Sequence, residues 1–282
     1  MAGKPFEKEY CVHIYETGID GVLRIDALMN YFEELALLQS EAEGVGLEYY
    51  RKHGVIWLLH GFDIRFVHPP AFNDRIVVRT IPSSVYRFMG FRSYRVLDTD
   101  LRELATANSS WIFLDTNKKR PVRVDENMKK AYGHDGSPEE RMHMDEIPSL
   151  SGADYMASFR VLTADIDINQ HVNNVVYVKW ALESIPHSIH KTHRMDRLQV
   201  QWLKETFAGD KVDVKTQCIT NQGHLRCLHS ITGNDGQEKC KLVTHWKSKR
   251  PAEVQVSGNS VGLRTISKGK FKRTDQGVIS HG

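Results

Sequence analysis

The sequence predicts an α+β protein made of two tandem copies of one unit, a long helix followed by a run of antiparallel strands. Two observations carry this prediction. The predicted order of elements, one helix and then four strands, occurs twice along the 282 residues. In addition, DRIVVRT at 74–80 matches DKVDVKT at 210–216, an offset of 136 residues from Asp74 to Asp210. Such an internal repeat indicates a duplicated fold.

The first copy occupies residues 1–114. We expect a short strand at 10–15 and a helix over 25–43, because apolar residues recur there at three- and four-residue steps. Four apolar segments rich in β-branched residues follow, separated by turn residues, and they predict strands. These segments are 56–67, 75–85, 88–97 and 104–114.

Residues 115–153 are predicted to be a linker, since they are highly charged, contain Pro148 and hold few residues able to enter a core. The second copy then covers 154–250, with a strand at 155–161 and a helix from about 173 to 185. Its four further strands are expected at 197–202, 211–220, 225–232 and 239–246.

The second helix carries an apolar stripe that a sheet could cover. The stripe consists of Tyr177, Val178, Ala181, Leu182 and Ile185. A long helix wrapped by a curved antiparallel sheet is the hot-dog arrangement. Two copies in one chain therefore predict a tandem, or double, hot-dog in which the two sheets pair internally; a homodimer of the whole chain is also compatible with this prediction.

The formal net charge is +3, but the excess lies at the end of the chain. Residues 247–282 hold eight cations against two acids, a net +6, which leaves −3 for the rest. A folded part that is not basic overall argues against nucleic acid as a partner. Residues 251–282 mix Gly, Ser and Lys, and we expect them to form a basic, mobile tail.

Hydropathy and cysteine usage predict a cytoplasmic protein. The mean hydropathy is −0.44, and no run approaches the ~18 apolar residues of a membrane span. The lack of an Arg- and Ser-rich leader before Phe6 favours a bacterial-type cytoplasmic protein over one of the plastid stroma. The four cysteines form no CxxC pair and are too few for a disulfide scaffold, so we predict reduced thiols. They are Cys11, Cys218, Cys227 and Cys240.

The densest polar cluster is DIDINQHVNN at 165–174, directly before the second helix. If this segment is extended, alternation places Asp167, Asn169 and His171 on one side. An acid, an amide and an imidazole would then share a face. The alternative is helix capping, which Asn173 or Asn174 could provide, but a cap uses one residue rather than three.

The segment DIDINQHVNNVVYVKWALESIP resembles the signature of acyl-ACP thioesterases, and the resemblance extends over about residues 6–250. It implies a double hot-dog enzyme whose catalytic set, a D-x-N-x-H pattern and a later Glu, corresponds here to Asp167, Asn169, His171 and Glu205. It also implies acyl carrier protein, bearing a phosphopantetheine-linked acyl chain, as the partner. Plant members often have Cys after that Glu, whereas this chain has Thr206, so no cysteine nucleophile is available there.

The first repeat offers an internal comparison. An offset of 146, taken from matching Tyr31 with Tyr177, sets the trio against apolar or glycine positions, and the offset of 136 sets Glu205 against Pro69. The three positions set against the trio are Gly21, Leu23 and Ile25. Because a requirement of the fold should appear in both copies, polarity confined to the second copy favours chemistry over capping.

Thioester hydrolysis needs a base, an oriented water and a donor for the developing oxyanion. We expect Glu205 and Asp167 to orient and activate water, with His171 carrying the proton. Asn169 and an N–H group at the helix N-terminus would hold the thioester oxygen. Which group is the formal base stays open, and so does a covalent acyl-Asp167 route. No metal and no cofactor is implied.

The resemblance also implies that repeat one is free to line an acyl pocket. Candidate lining residues are Met29, Phe32, Trp57 and Leu59, and plain core packing is the alternative for each.

The rival functions are an acyl-CoA thioesterase, a hot-dog dehydratase, which Glu205 argues against, and a catalytically silent acyl-binding protein. An acidic carrier protein would dock on cations near the second repeat. The candidate cations are Lys179, Lys191, Arg194, Arg197 and Lys204.

Two further motifs are weaker. GNSVG at 258–262 matches a G-x-S-x-G elbow but lacks the flanking strand and helix that this motif needs. The three-residue spacing of His187, His190 and His193 suggests a zinc site, but histidines that follow a proline at a helix end are expected to be solvated.

Overall fold

The computed structural model describes residues 3–134, 136, 140–221 and 224–249. The first repeat begins with β1 (Phe6–Cys11) and the long helix α1 (Ile25–Ala42). A short helix and four long strands follow: α2 (Leu47–His53), β2 (Val55–Phe66), β3 (Arg75–Tyr86), β4 (Met89–Leu97) and β5 (Glu103–Asp115). The region between the repeats contains β6 (Arg120–Pro121) and α3 (Glu126–Ala131).

The second repeat has the same order of elements. It contains β7 (Tyr155–Arg160), α4 (Asn174–Glu183), α5 (His187–Thr192), β8 (His193–Trp202), β9 (Lys211–Asn221), β10 (His224–Gly233) and β11 (Glu238–Ser248). The predicted helices and long strands of both repeats are thus confirmed to within a few residues.

All strands of the described chain belong to one antiparallel sheet, ordered β1-β3-β4-β5-β2-β8-β11-β10-β9-β7, with β6 paired to β5. The two repeats join where β2 pairs with β8, from Gly61 opposite Gln201 to Arg65 opposite Arg197. This internal pairing removes one exposed sheet edge from each repeat. It is the pairing of sheets that the duplicated pattern predicts.

One hydrophobic core spans both repeats, with α1 and α4 packed against the sheet and against each other. The α1 face contributes Leu28, Phe32 and Leu35, and the α4 face contributes Val178 and Ala181, all fully buried. The predicted stripe on the second helix is therefore the face that enters the core. The two repeats therefore share one contiguous core.

A salt bridge crosses the junction between the repeats. Arg197 Nε donates to Asp63 Oδ1 at 2.7 Å, and Nη2 donates to Asp63 Oδ2 at 2.6 Å and to Asp145 Oδ2 at 2.7 Å. The Asp63 and Asp145 carboxylates raise the pKa of Arg197 above its ordinary value. Arg197 is thus committed to the junction, which argues against its predicted use as a docking cation.

The structure differs from the expected elements near the N-terminus and in the short helices. The short first strand lies at Phe6–Cys11 rather than at 10–15, and a 3₁₀ turn occupies Ile14–Glu16. The helices α2, α3 and α5 were not expected.

The predicted linker contributes to packing. Val124, Met128 and Tyr132, in and beside α3, are buried in a second apolar cluster. Residues 141–147 line a cavity of about 610 Å³, together with His60, Phe62 and other residues of the sheet. Few of the described linker residues are buried, as expected, but α3 is packed into this second cluster.

Two of the four cysteines are joined. Cys218 on β9 and Cys227 on β10 lie directly opposite each other and form a disulfide, while Cys11 and Cys240 are free thiols. The prediction of reduced thiols is wrong for this pair. The pairing depends on strand register, which places the two Cα atoms 4.2 Å apart.

No helix in the described residues is long and apolar enough to cross a membrane. The predicted basic tail, 251–282, lies outside the described residues.

Candidate active site

The polar segment before α4 folds into a tight loop that follows a 3₁₀ turn at Thr163–Asp165. A bridge between Ile166 and Val172 closes the loop, and the Asp167 N–H donates to the His171 carbonyl at 2.9 Å. The expectation of an extended segment with alternating faces is therefore wrong. Asp167, Asn169 and His171 are brought together by a turn, not by a strand.

The Asp167 carboxylate organises this loop. Its Oδ1 accepts hydrogen bonds from the Asn169 N–H at 2.8 Å and the His171 N–H at 3.4 Å, and its Oδ2 accepts one from Asn169 Nδ2 at 3.3 Å. A short acidic side chain that binds the backbone two residues ahead is typical of a turn. The exposed Asn169 amide therefore points at the acid in this structure.

Glu205 reaches the loop from the segment after β8, which ends at Trp202. The Val172 N–H donates to the Thr206 carbonyl at 3.0 Å and so ties the two segments together. His171 Nε2 lies 3.5 Å from Glu205 Oε2, and their side chains are 32% and 52% exposed. An imidazole and a carboxylate thus meet at a site that water can enter.

The first turn of α4 presents a backbone donor next to the loop. Asn173 caps the helix, since its Oδ1 accepts from the Val175 N–H at 3.1 Å. The N–H of Asn174, the first helical residue, donates to none of the described residues. Free N–H groups are expected in a first turn, where the helix dipole favours negative charge.

The first repeat contains the same loop with other side chains. The bridge between Thr17 and Leu23 closes it, 149 residues before the bridge of the second loop, and the Gly18 N–H donates to the Val22 carbonyl at 2.9 Å. The Leu23 N–H donates to the Pro70 carbonyl, which lies 136 residues before Thr206. The equivalent pairs are therefore Gly18 with Asp167, Asp20 with Asn169, Val22 with His171, and Pro69 with Glu205.

This equivalence corrects the offset of 146 that the Tyr31–Tyr177 match suggested. The partners expected from sequence, Gly21, Leu23 and Ile25, are each three residues too late. In the corrected register Asp20 is the residue equivalent to Asn169, so the first loop is not wholly apolar. It still lacks a carboxylate, an imidazole and a glutamate at the positions of Asp167, His171 and Glu205.

A cavity of about 770 Å³ lies at this first-repeat loop. All four equivalent positions belong to its walls, and other walls come from α4 and from β8 and β11 of the second repeat. The residues that line the cavity include Gly18, Asp20, Val22, Pro69, Ile25 and Leu182. The first-repeat loop therefore also borders a cleft, but this loop has no counterparts of Asp167, His171 and Glu205.

The four predicted acyl-pocket residues lie in two packed clusters. Met29, Phe32 and Leu59 are buried in the main core. Trp57 belongs to the second cluster, where its ring centroid is 4.8 Å from that of Phe113. None of the four lines either cavity described above, and their lining role stays a prediction.

Sequence analysis did not single out Glu33, which α1 brings to the second-repeat loop. Asn174 Nδ2 donates to Glu33 Oε2 at 3.2 Å. A signal was present, because Glu33 lies four residues after Met29 and three before Ala36, on the apolar face of α1. A carboxylate on a core-facing stripe calls for a partner or a function.

The histidine series is packed rather than solvated at its centre. His190 Nε2 lies 3.0 Å from the Leu182 carbonyl, and its ring meets the edge of Trp246. No group of three or more His, Cys, Asp or Glu in the described parts of the chain could hold a metal ion. The GNSVG motif at 258–262 lies outside the described residues.

Comparison with known proteins is consistent along the chain. The sequence profile of the acyl-ACP thioesterase N-terminal domain matches residues 3–132, and that of the C-terminal domain matches residues 149–248. Oleoyl-acyl carrier protein thioesterase 2, chloroplastic, of Arabidopsis thaliana is 28% identical over 285 residues, covering 95% of this chain and 76% of that protein.

Solved structures agree in fold. A Lactobacillus plantarum protein named as an oleoyl thioesterase has a TM-score of 0.83 at 20% identity, covering 88% of this chain and 98% of that one. The 12:0-ACP thioesterase of Umbellularia californica has a TM-score of 0.74 at 21% identity, covering 87% and 94%. This likeness confirms the predicted double hot-dog fold.

Proposed function

The chain belongs to the acyl-ACP thioesterase family, a family of thioester hydrolases, and from the geometry of its second-repeat loop we propose which residues release the fatty acid. The reaction is hydrolysis of the fatty acyl thioester of acyl carrier protein. The proposed catalytic residues are Asp167, Asn169, His171 and Glu205.

Water is the nucleophile in this proposal. His171, oriented by the Glu205 carboxylate 3.5 Å away, takes a proton from water as its oxygen attacks the thioester carbonyl carbon. When the carbon–sulfur bond breaks, the imidazolium returns that proton to the phosphopantetheine thiolate. The products are a fatty acid and the free carrier thiol, so the protons balance.

The oxyanion is held by the first turn of α4. The free Asn174 N–H is the donor that the geometry favours, because the Asn169 side chain binds Asp167. Asp167 then has the role of holding the loop and orienting water. In the alternative route its carboxylate attacks the thioester and forms an acyl intermediate.

One observation carries the assignment. Both repeats fold the same hydrogen-bonded loop, yet the residues at the equivalent positions of Asp167, His171 and Glu205 are Gly18, Val22 and Pro69. Since the loop forms without these polar groups, folding alone does not explain their presence in the second copy.

The test is release of free thiol from acyl-ACP and from acyl-CoA, measured side by side. We expect a higher kcat/KM for acyl-ACP, together with loss of activity in Glu205→Gln. Preference for acyl-CoA would favour the rival thioesterase. No hydrolysis, with retained acyl binding, would favour a silent acyl-binding protein, and dehydration of a hydroxyacyl substrate would favour the dehydratase.

Docking of the acidic carrier protein is proposed to be electrostatic. Lys179, Lys191 and Lys204 are all exposed, but Lys179 lies 3.5 Å from Asp26 and Lys204 binds Gln237, which leaves Lys191 as the favoured candidate. Salt should therefore raise the KM for acyl-ACP more than for acyl-CoA. A cytoplasmic location stays part of the proposal.

A further inference from the structure

Glu33 connects the helix of the first repeat to the catalytic loop of the second. It lies on α1, and its Oε2 accepts the hydrogen bond from Asn174 Nδ2 at 3.2 Å. Asn174 is also the residue whose N–H faces the proposed oxyanion site. A side chain of the first repeat therefore binds the first turn of α4, the helix that follows the catalytic loop of the second repeat.

The other carboxyl oxygen has no partner. Glu33 Oε1 is buried and makes no hydrogen bond within the described residues. Leaving a buried polar oxygen unpaired costs about 1–3 kcal/mol, and more if it is charged. A carboxyl group at this position therefore lowers the stability of the fold. Its presence calls for another explanation, such as a role in the site.

The equivalent position in the other repeat is apolar. By the offset of 149 that relates the two loops, Glu33 is equivalent to Leu182, and Asn174 is equivalent to Ile25. Both apolar residues line the first-repeat cavity. The helix–helix contact thus forms without a polar pair on that side. The Glu33–Asn174 pair occurs only where the catalytic loop lies.

The titratable group that acts on Glu33 is Asp167 from the loop, and Glu33 in turn acts on Tyr94 of β4. Burial raises the pKa of Glu33 to about 7, the Asn174 hydrogen bond opposes this, and the negative charge of Asp167 adds to it. A buried carboxyl group with a raised pKa holds its proton to a higher pH than an exposed one does. Glu33 therefore keeps its proton below about pH 7.

We propose that Glu33 is a positioning residue of the thioester site that acts in its protonated form, accepting the Asn174 hydrogen bond without adding its own negative charge to the site. When Glu33 ionises, a second negative charge appears beside Asp167 and opposes the oxyanion that forms at the first turn of α4. The reaction itself rests on the function proposed above, but the ionisation of Glu33 does not.

The consequence is a loss of activity on the alkaline side. Ionisation of Glu33 acts as the pH rises through about 7. In Glu33→Gln the side chain stays neutral and can still accept from Asn174. This variant should keep activity within about threefold at pH 6, and its kcat should no longer fall between pH 7 and 8.

Glu33→Leu introduces the residue found at the equivalent position of the other repeat. It should lower kcat by about ten- to a hundredfold with little change in KM, because the first turn of α4 loses its anchor. The melting temperature should not fall greatly, since a buried unpaired oxygen is removed. Leu182→Met is the matched control and should leave the pH profile unchanged.

A direct titration separates this inference from the proposed function. In protein labelled with ¹³C at glutamate carboxyl carbons, the resonance absent from Glu33→Gln should titrate near pH 7 whether or not acyl-ACP is hydrolysed. Titration with the ordinary glutamates would overturn the inference. Superimposable pH profiles of the wild type and Glu33→Gln would overturn it as well, as would a Glu33→Leu variant whose only defect is stability.

Discussion

His171 Nε2 lies 3.5 Å from Glu205 Oε2, although the two residues come from opposite sides of the second helix in the sequence. One backbone hydrogen bond, from the Val172 N–H to the Thr206 carbonyl, joins the segments that carry them. The same bond exists in the first repeat, from Leu23 to Pro70. The fold thus provides two equivalent loops, and the proposed catalytic side chains occur in only one of them.

The junction between the repeats depends on Arg197 and Asp63. Their side chains are 17% and 15% exposed, so Asp63→Ala leaves a largely buried guanidinium with fewer partners. We expect a loss of about 2–4 kcal/mol in the free energy of unfolding by urea. The exposed pair Arg79–Glu7 is the control, and Glu7→Ala should cost less than about 1 kcal/mol. Equal losses would contradict a special role for the junction.

The second repeat should lose stability in acid because of His229. The ring is fully buried, 2.8 Å from Thr216 Oγ1 and 3.0 Å from Thr244 Oγ1, and burial lowers its pKa from 6.5 to about 3. Between these values the unfolded chain binds a proton that the folded one does not, so stability falls as the pH falls, by about 1.4 kcal/mol per unit.

Unfolding at pH 7 and pH 5 measures this effect as a loss of about 2 kcal/mol that His229→Gln should remove. The glutamine can bind both threonines but does not titrate. An equal pH dependence in the variant would assign the acid sensitivity to other groups.

The two loops also differ at one backbone position. Gly21 has φ of 74° and its equivalent Gln170 has φ of 67°, a left-handed conformation that costs a side-chain-bearing residue about 1 kcal/mol or more. Gln170→Gly should therefore raise the melting temperature. Gly21→Ala should lower stability by about 1 kcal/mol, for conformational reasons alone, because no atom lies within 4 Å of the added Cβ. A Gln170→Gly variant that melts at a lower temperature, or a Gly21→Ala variant as stable as the wild type, would contradict this account.

Chain-length preference tests the proposed acyl pocket. Trp57 packs on Phe113, and its Nε1 has no hydrogen-bond partner among the described residues. If Trp57 limits the pocket, Trp57→Ala should shift initial rates toward longer acyl-ACP substrates. An unchanged chain-length profile with a lowered melting temperature would instead indicate core packing, and Phe113→Leu is the control for the effect of packing alone.

The long elements were predictable because their patterns are local. The helix expected at 25–43 is Ile25–Ala42, and the strand expected at 75–85 is Arg75–Tyr86. Helices α2, α3 and α5 have only six or seven residues each, too few for a periodic pattern, and they are held by tertiary packing. Tertiary packing also buries Met128 in the predicted linker, which a local pattern could not indicate.

The site was predictable where one segment carries it. Asp167, Asn169 and His171 lie in a single motif, so their proximity follows from the sequence. Glu33 comes from the other repeat, and only the packing of α1 against α4 brings it there. The loop register and the Cys218–Cys227 disulfide were missed because both depend on hydrogen-bonded pairing, which letters alone do not fix.

The most direct test compares each second-repeat residue with its structural equivalent. His171→Ala and Glu205→Gln are paired with Val22→Ala and Pro69→Ala, and turnover of acyl-ACP is measured together with a melting curve for each variant. The account predicts a hundred- to ten-thousandfold loss of kcat for the second-repeat changes, with folding retained, and a change of no more than about threefold for their equivalents. Near-normal turnover in a folded His171→Ala protein would contradict it.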